Sequence, residues 1–557
     1  MRRPLRGPIS EGERAVSDWN FGDLYDAVGN SVPPDEPALL HGERRILWGE
    51  LVRRTNNLAA ALLAHGLEPG DKVAFYMRNR PEYIEGLMAC AKARLVHVNV
   101  NYRYQAEELR YILEDSDARA VLVAGEFSAS LHALLPRLPK LEIVLQLDED
   151  APRVGIGASY ASWAEAGDGK PLDLRRSPDD LLFIYTGGTT GMPKGVMWRS
   201  EDLWNALGRG TGVTPGLAPP ETLEEACARI RQAPGPRTLP ACPLMHGTGL
   251  LTAINAIGTG GKVITLPGAR FDAEALWDAV EREGVESLSI VGDAFARPML
   301  RALDSHPGRW NLQSLKGIVS SGVMWSREVK EGLLRHHPGM ILVDSLGSSE
   351  GVGFGRSIST AGSSEGTARF QLGERVKAFR EDGSELKPGS QETGFLALAG
   401  PIPLGYYKDE EKTRRTFRVI GGVRYSIPGD FCRVDADGTI RLLGRGSVCI
   451  NTGGEKVYPE EIEEALKTHP AVQDALVVGV PDEKWGQAVT ALVELCPEAD
   501  ASGAEESRLR QHVREQLAAY KVPKHVLQVA SIGRAANGKA DYAGMARWAR
   551  EQLGIRA

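Results

Sequence analysis

Paired cysteines are missing from this sequence, although it is 557 residues long. Its six cysteines are scattered and none belongs to a C-x-x-C pair, which excludes a disulfide framework and a zinc site. A reducing cytoplasm therefore suits the chain best. No run of about 18 apolar residues is present, so no membrane-spanning helix is expected. The N-terminal MRRPLR is basic but has no apolar segment behind it, and we do not expect it to be a secretory signal peptide.

An excess of basic charge is also missing. The formal net charge is −7, which gives no support for binding to nucleic acid. The contents of hydrophobic residues (42%) and charged residues (25%) are ordinary for a soluble globular protein. At about 150 residues per domain, the length predicts two to four domains. A homodimer is compatible with these properties, and the sequence leaves the oligomeric state open.

Strand-like and helix-like segments alternate along most of the chain. Extended segments are predicted at 71–76, 96–100 and 120–123, and helices at 82–91 and 107–115 lie between them. A further helix is predicted at 46–66. This alternation is typical of a parallel α/β architecture. It resumes in a second series, predicted as strand 262–266, helix 273–283, and strands 287–291, 317–319 and 340–343.

The character of the sequence changes near residues 441–448. Beyond them lies a compact α/β pattern, with a helix starting at Pro459, strands at 475–480 and 489–495, and a helix around 509–519. We therefore predict domains at 1–443 and 448–557, joined by a hinge at 444–447. The glycines of the hinge would permit large dihedral changes.

A segment at 211–237 interrupts the first domain. It is rich in proline, glycine and charge, with a short helical piece near 223–231. A lid over the middle of the molecule and a solvated insertion without a role are both compatible with this composition.

The stretch 185–195 reads YTGGTTGMPKG and follows an apolar run at 181–184 that is typical of a buried strand. Backbone N–H groups and hydroxyls of such a loop can surround phosphate oxygens, and Lys194 adds a cation. The loop is not a Walker motif, because Lys194 is followed by Gly195 rather than by Ser or Thr. It predicts a different nucleotide chemistry, and the alternative is a structural turn without a ligand.

A second motif, DSLGSSEG at 344–351, contains the G-x-S-x-G pattern of serine hydrolases. That pattern requires a helix after the serine, whereas glycines recur at 351–355 and oppose a helix. We therefore favour a strand-end loop that offers Ser349 to a phosphate and Glu350 to Mg²⁺. A surface turn with a solvated Glu350 is the alternative.

Three more motifs follow. Asp430 comes after a Pro-Gly turn and is suited to accept hydrogen bonds from ribose hydroxyls, although an isolated Pro-Gly-Asp is usually only a turn. The fourth motif runs from Gly444-Arg445 through 451–462. The fifth is Asn537-Gly-Lys539, in which a lone lysine would ordinarily be a surface residue.

In this order, the five motifs resemble the acyl-adenylate-forming superfamily of acyl-CoA synthetases, peptide-synthetase adenylation domains and luciferases. The resemblance extends from about Phe21 to Tyr542. The amino-acid sequences of segments 185–198 and 292–297 are most similar to those of actinobacterial fatty-acyl and steroid side-chain CoA ligases.

The resemblance implies an α/β fold, with a large N-terminal domain of layered α/β subdomains that binds ATP and the acyl group, and a small mobile C-terminal α/β domain. It also implies a two-step reaction. A carboxylate and ATP give an acyl-adenylate and pyrophosphate, and coenzyme A then displaces AMP. ATP, Mg²⁺ and coenzyme A are the implied cofactors and co-substrates. No enzyme nucleophile is needed, and catalysis would rest on positioning and on charge neutralisation.

The matching motif positions imply the site residues. Catalytic roles fall to Thr186, His246, Glu350 and Lys539. The implied ATP-binding residues are Thr186, Gly187, Gly188, Thr189, Thr190, Gly191, Lys194, Ser321, Gly322, Ser345, Leu346, Gly347, Ser349, Asp430, Arg445 and Lys539. The implied acyl-binding residues are His246, Gly249, Asp293 and Val323. Gly453, Gly454 and Glu455 would bind coenzyme A, and Glu350 would bind the metal.

Some positions depart from the family. Leu346 stands where an aromatic residue is common, so adenine would lose a stacking partner. Ser447 occupies the hinge position that is commonly Asp or Lys, and Gly533 lies where a proline usually precedes the last motif. His246 has an alternative interpretation as a packed histidine.

Two other functions compete with an acyl-CoA synthetase. An adenylating enzyme could pass its acyl group to a carrier protein or close a lactone, but no carrier domain follows and the glycines at 453–454 favour free coenzyme A. A nucleotide-binding regulator is disfavoured because the charged residues of all the motifs are present. The identity of the acid is not readable, although apolar segments at 245–257 and 293–299 would suit a long, branched or polycyclic acid.

Overall fold

The computed structural model describes most of the chain. The described residues are 19–147, 154–186, 192–211, 217–323, 325–364, 369–445, 450–452, 455–482, 485–496, 503–517, 519–535 and 538–555.

The helices are numbered in chain order. They are α1 Phe21–Gly29, α2 Trp48–Ala64, α3 Pro81–Lys92, α4 Ala106–Asp115, α5 Ser128–His132, α6 Tyr160–Glu165, α7 Ser200–Ala206, α8 Leu223–Gln232, α9 Gly247–Gly258, α10 Ala273–Glu283, α11 Gly292–Ser305, α12 Arg327–His336, α13 Glu410–Thr416, α14 Pro459–Lys467, α15 Gly503–Gln516 and α16 Tyr542–Gln552. None of these helices is long and apolar enough to cross a membrane, as judged over the described part of the chain.

The strands are numbered in the same way. They are β1 Pro37–His41, β2 Arg44–Leu47, β3 Lys72–Tyr76, β4 Val96–Asn99, β5 Ala118–Ala124, β6 Ile143–Leu147, β7 Ala158–Ser159, β8 Leu181–Thr186, β9 Lys194–Arg199, β10 Arg237–Pro240, β11 Lys262–Thr265, β12 Ser287–Ile290, β13 Gly317–Ser321, β14 Ile341–Ser348, β15 Gly351–Thr360, β16 Ser363–Ser364, β17 Arg369–Leu372, β18 Val376–Phe379, β19 Gly394–Ala399, β20 Gly405–Tyr406, β21 Phe417–Ile420, β22 Val423–Ser426, β23 Asp430–Val434, β24 Ile440–Arg445, β25 Ile450–Thr452, β26 Glu455–Val457, β27 Val472–Asp482, β28 Gly486–Leu495 and β29 His525–Gln528.

Local sequence signals account for many of these boundaries. Helix α10 begins after Asp272, whose carboxylate accepts hydrogen bonds from the N–H groups of Glu274 and Ala275. It ends at Gly284, which adopts a left-handed φ of 60° that glycine tolerates best. Its prediction at 273–283 is confirmed. Helix α2 starts at Trp48, not at residue 46 as predicted, because Ile46 pairs with Leu39 in the β1–β2 hairpin.

The first sheet has eight strands in the order β20-β9-β8-β4-β3-β5-β6-β7. Strands β3 to β8 are joined in parallel, and β9 and β20 extend the sheet by antiparallel pairing. The predicted alternation of strands and helices in this part of the chain is confirmed. Buried strands with helices between them explain the strong apolar signal of these segments.

The second sheet contains 16 strands and changes direction at β14. Strands β1, β10, β11, β12, β13 and β14 pair in parallel, as the second predicted series implies. From β15 to β24 the pairing is antiparallel. These antiparallel strands were not predicted, because many of them are short and carry no continuous apolar run.

A five-stranded sheet forms the C-terminal part, in the order β26-β25-β28-β27 with β29 beside β28. One apolar cluster includes side chains of α14 and α15, and another includes Ala549 of α16. The predicted helix at Pro459 and both predicted strands are confirmed, although β27 and β28 are longer than expected. The hinge residues 446 and 447 lie outside the described residues, so the domain boundaries stay predictions.

The interrupting segment contains the predicted helix, observed as α8. Thr222 caps its N-terminus, accepting a hydrogen bond from the N–H of Glu225. Ala226, Cys227 and Ile230 are buried, and α8 packs against α1. The described helix is therefore a packed element of the N-terminal part.

Candidate active site

The glycine-rich loop connects two antiparallel strands, β8 and β9. Thr186 is the register partner of Lys194, so the two ends of the loop lie side by side. The five predicted ATP-binding residues between them, Gly187, Gly188, Thr189, Thr190 and Gly191, lie outside the described residues.

Lys194 stays a cation at the edge of this loop. Burial opposes the charge, but a hydrogen bond to Tyr111 and the negative charge of Asp115 outweigh burial and raise the pKa of Lys194. Its Nζ atom lies 3.8 Å from Oδ2 of Asp409. A charged ammonium next to the loop is suited to a phosphate oxygen.

Asn99, at the end of β4, ties this loop to the segment that carries His246. Its Nδ2 atom donates to the carbonyls of Tyr185 (2.9 Å) and Met245 (2.7 Å). Its Oδ1 atom accepts from the N–H of Tyr185 at 2.7 Å. The side chain is buried. Asn99 was not predicted as a site residue, because its only signal in the sequence is a polar side chain inside an apolar strand.

The end of β13 and the second half of β14 bring predicted ATP-binding residues side by side. Ser321, the last residue of β13, is the parallel register partner of Ser345 in β14. Gly322 follows with a φ of +92°, a conformation that favours glycine. A Cβ atom built on Gly347 would lie 3.9 Å from Oγ of Ser321. The predicted pair of segments, 321–323 and 345–347, is therefore brought together, and Leu346 packs against the main apolar core.

Glu350 lies in the turn between β14 and β15 and is buried. The hydroxyl of Tyr406 donates to its Oε1 atom at 2.7 Å, and Oγ of Ser426 donates to its carbonyl at 2.6 Å. The carbonyl of Ser349 accepts from Nε1 of Trp198 at 2.9 Å. Strand β15 follows this turn directly, so the helix of a hydrolase elbow is not formed.

The donor set at Glu350 fits Mg²⁺ better than a transition metal. Mg²⁺ is commonly held by one or two carboxylates together with substrate phosphates. The described residues contain no cluster of three or more His, Cys, Asp or Glu side chains that could hold a metal without a substrate. Tyr406 and Ser426 were not predicted, because their link to Glu350 joins strands that are distant in sequence.

Asp430 and Arg445 face each other across the antiparallel pair β23–β24, as register partners. Gly429 precedes Asp430 with a φ of +100°, in keeping with the predicted Pro-Gly turn. The structure thus brings together the two residues that the motifs assign to the ribose. Beside Arg445, Gly444 has a φ of +103°, and a Cβ atom there would lie 2.0 Å from Oε2 of Glu460.

The loop that carries Lys539 reaches the N-terminal part of the molecule. Burial lowers the pKa of His246 to about 3, although its side chain keeps some accessible surface, and the charges of Lys539 and Arg103 act in the same direction. A Cβ atom built on Gly538 would lie 3.1 Å from both Val291 and Val323. Lys539, His246 and Val323 therefore lie near one another although they are distant in sequence.

Two predicted acyl-binding residues have structural contacts of their own. The carboxylate of Asp293 accepts from the N–H (2.9 Å) and Oγ (3.1 Å) of Ser326, and from Nε of Arg297 (3.1 Å). A Cβ atom on Gly249 would lie 2.5 Å from the carbonyl of Pro243, so a side chain does not fit there. Their contacts with an acyl group stay predictions.

The predicted coenzyme A loop is described only at its end. Gly453 and Gly454 lie outside the described residues, and Glu455 begins β26 opposite Thr452. The role of this loop stays a prediction.

Comparison with known proteins is consistent with this geometry. Residues 27–407 match the family described as AMP-binding enzyme, and residues 461–539 match the AMP-binding enzyme C-terminal domain. The chain belongs to the AMP-binding enzyme family. The predicted resemblance to adenylate-forming enzymes is thereby confirmed.

Relatives of this AMP-binding enzyme include actinobacterial ligases. A 3-oxocholest-4-en-26-oate–CoA ligase from Rhodococcus rhodochrous is 41% identical over 551 residues, covering 96% of each chain. A medium/long-chain-fatty-acid–CoA/3-oxocholest-4-en-26-oate–CoA ligase from Mycobacterium tuberculosis is 40% identical over 543 residues, again covering 96% of each chain. A feruloyl-CoA synthase from Amycolatopsis sp is 32% identical over 520 residues, with coverage of 89% and 92%.

Solved structures of similar fold include two ligases. The anthranilate CoA ligase AuaEII in complex with anthranoyl-AMP has a TM-score of 0.81 at 23% identity, covering 96% of this chain and 98% of that one. ATP-bound MatB from Rhodopseudomonas palustris has a TM-score of 0.78 at 24% identity, covering 97% and 100%. The predicted fold, a large N-terminal α/β part with a small C-terminal domain, is confirmed.

Proposed function

We propose that this AMP-binding enzyme is an ATP-dependent, AMP-forming acyl-CoA synthetase. The observation that carries the proposal is the position of the Lys539 loop, which lies against Val323 and near His246. Lys539 comes from the C-terminal domain, whereas the predicted nucleotide and acyl residues come from the N-terminal part. This arrangement is suited to the first half-reaction, in which a carboxylate oxygen attacks the α-phosphorus of ATP and pyrophosphate leaves.

Each charged motif would have a role in this first half-reaction. Lys194 and the loop beside it would bind the β- and γ-phosphates, and Asp430 with Arg445 would bind the ribose hydroxyls. Glu350 would hold Mg²⁺, which supplies charge neutralisation between the phosphates. Lys539 would contact the carboxylate and the α-phosphate, where negative charge accumulates.

His246 would act as a neutral residue of the acyl site. With a pKa near 3, its imidazole is uncharged at neutral pH. It precedes α9, in which Leu251 is only partly buried and offers apolar surface. An uncharged polar ring beside apolar surface suits the carboxyl end of a lipophilic acid.

The second half-reaction would need a different arrangement of the C-terminal domain. In this proposal residues 448–557 rotate about a hinge at 444–447, which withdraws Lys539 and brings the loop of Gly453 and Gly454 to the acyl-adenylate. The thiol of coenzyme A then attacks the acyl carbon, and AMP leaves with its bonding electron pair.

The proposed acid is a fatty acid or a steroid side-chain carboxylic acid. Support comes from relatives at 40–41% identity that are named for such acids. The enzyme is proposed to act in the cytoplasm, and the five described cysteines, all free thiols, agree with a reducing compartment. Homodimerisation stays a prediction.

The test measures the two half-reactions separately. With 3-oxocholest-4-en-26-oate or a long-chain fatty acid, we expect pyrophosphate release and AMP release that requires coenzyme A. Ferulate is the comparison acid. Lys539→Ala should lower ATP–pyrophosphate exchange by about 100-fold or more and spare thioester formation from a supplied acyl-adenylate. Unchanged exchange would refute the site assignment, and AMP release that needs a carrier protein instead of coenzyme A would refute the acceptor.

A further inference from the structure

The loop that carries Lys539 is closed on itself by backbone hydrogen bonds. The N–H of Ala535 donates to the carbonyl of Lys539 at 2.8 Å, and the N–H of Gly538 donates to the carbonyl of Ala535 at 2.8 Å. Residues 536 and 537 lie outside the described residues. This turn fixes the shape of the loop, but these bonds alone do not fix its position on the domain.

Arg534 supplies the connection to the domain. Its Nη1 atom donates to the carbonyl of Gly538 at 3.2 Å, next to the lysine. Its Nε and Nη2 atoms donate to Oδ2 (2.6 Å) and Oδ1 (3.0 Å) of Asp474, and Nη2 also donates to the carbonyl of Ala475 at 3.1 Å. The guanidinium thus joins the loop to strand β27 of the C-terminal sheet.

The environment of Asp474 keeps this pair charged. Burial opposes the carboxylate, but Lys467 and Arg534 outweigh burial and lower the pKa of Asp474. Nζ of Lys467 lies 3.2 Å from Oδ1 of Asp474. Only 14% of the Arg534 side chain and 20% of the Asp474 side chain are accessible, so solvent screens the pair weakly.

A second set of bonds fixes the neighbouring elements. Oε1 of the buried Glu463 accepts from the N–H of Val477 at 3.0 Å and from the hydroxyl of Tyr542 at 2.9 Å. Tyr542 begins α16, directly after the loop that carries Lys539, so this end of the loop is tied to Glu463 of α14, which in turn is bonded to β27. All these groups belong to the C-terminal domain.

The position of the loop must be accurate, because there is little space where it meets the N-terminal part. A Cβ atom on Gly538 would already be 3.1 Å from Val291 and Val323. A shift of the loop by 1 Å would either strike these valines or draw Lys539 away from the reacting groups.

We propose that Arg534 is a positioning residue for adenylation, which holds the Gly538 carbonyl, and through it Lys539, at a fixed place relative to β27. The inference rests on the proposed role of Lys539. Only arginine can make the two-pronged contact with Asp474 and still direct a third nitrogen at Gly538. Since Arg534 and its partners would move with the C-terminal domain, the thioester-forming step does not depend on this contact.

The experiment compares Arg534→Lys with Arg534→Met in the full-length protein. Both variants should lower kcat for ATP–pyrophosphate exchange by about tenfold to 100-fold. The KM for ATP, and thioester formation from a supplied acyl-adenylate, should change by less than about threefold. Asp474→Asn, which keeps the size of the side chain, should act in the same direction. Melting curves verify that each variant is folded.

The matched control is Lys524→Met. Lys524 also forms an ion pair with β27, through Asp482, but it has no contact with the lysine loop among the described residues. This variant should leave both half-reactions unchanged. Equal losses in both half-reactions of the Arg534 variants would show that Arg534 has only a structural role and would overturn the inference. ATP–pyrophosphate exchange that is unchanged in these variants would also overturn it.

Lys539→Ala separates the two proposals. If it abolishes exchange while Arg534→Lys does not lower it, only the positioning role fails. If Lys539→Ala leaves exchange intact, the proposed catalytic assignment fails, and the positioning role fails with it.

Discussion

At the scale of the residue, Asn99 shows how a single amide can organise a site. It donates to two carbonyls and accepts from one N–H, so both ends of its amide are used. The bonds connect the strand before the glycine-rich loop with the segment before His246. An amide is required for this pattern, because a carboxylate cannot donate and an ammonium cannot accept.

We predict that Asn99→Asp destabilises the folded protein by about 2 kcal/mol, because the carbonyls of Tyr185 and Met245 lose their donor next to a buried charge. The midpoint of thermal unfolding should fall, and the KM for ATP and for the acid should rise. Asn101→Asp is the matched control, since the side chain of Asn101 accepts from the N–H of Arg103 and aspartate keeps that bond. Equal midpoints for the two variants would contradict the prediction.

At the scale of the element, strands that are continuous apolar runs were predictable, and the short antiparallel strands of the second sheet were not. Buried parallel strands such as β5, which is apolar from Ala120 to Ala124, are predictable because this signal is local. Strand β15 alternates buried and half-exposed residues and contains three glycines, so the sequence indicated only the absence of a helix. Its identity as a strand depends on pairing with β14 and β17, which no local pattern encodes.

The two-residue strand β20 supplies a hydrogen bond to Glu350, the proposed metal ligand. It pairs with β9 and places Tyr406 with its hydroxyl on the carboxylate of Glu350. Removing a hydrogen bond to a metal-binding carboxylate commonly weakens metal affinity. Because the contact joins positions 350 and 406, the motif around Glu350 could not reveal it.

We predict that Tyr406→Phe shifts the Mg²⁺ dependence of pyrophosphate release to about tenfold higher Mg²⁺ concentrations. The measurement is a Mg²⁺ titration at a fixed ATP concentration. Tyr407→Phe is the control, because the hydroxyl of Tyr407 donates to Asp117 rather than to Glu350. The same Mg²⁺ dependence in both variants would argue against a role of Tyr406 at the metal site.

At the scale of the whole molecule, the order of the motifs predicted that distant segments meet. Asp430 and Arg445 are paired, Ser321 lies beside Ser345, and the loop of Lys539 reaches the N-terminal part. The supporting contacts were not predictable, since they depend on three-dimensional packing between residues that no motif links. The family resemblance predicts the residues that would contact ligands, but it does not predict the residues that hold those side chains in place.

Gly444 bears on the relation between the two domains. It has a φ of +103°, and a Cβ atom there would collide with the carboxylate of Glu460, which would have to rotate away. We predict that Gly444→Ala moves the carboxylate of Glu460 away from β24 and lowers ATP–pyrophosphate exchange by about tenfold. The double variant Gly444→Ala, Glu460→Ala relieves the collision and should recover part of the activity.

Gly438→Ala separates backbone strain from the collision. Gly438 has a φ of +84° in the turn before β24, and a Cβ atom there would have no neighbour within 4 Å. This variant carries a similar backbone strain without a steric conflict, so its exchange activity should stay close to that of the parent protein. If Gly438→Ala lost as much exchange activity as Gly444→Ala, backbone strain alone would account for the effect.

The contact of Gly538 with Val291 and Val323 also constrains how such a protein can evolve. The shape of the lysine loop is determined within the C-terminal domain, by Arg534 and its partners, whereas the surface that receives it belongs to the N-terminal part. A substitution that changes the size of one surface therefore requires a compensating substitution on the other. Exchanging C-terminal domains between relatives should therefore preserve adenylation where the two valine positions match in size, and lose it where a larger side chain fills the gap.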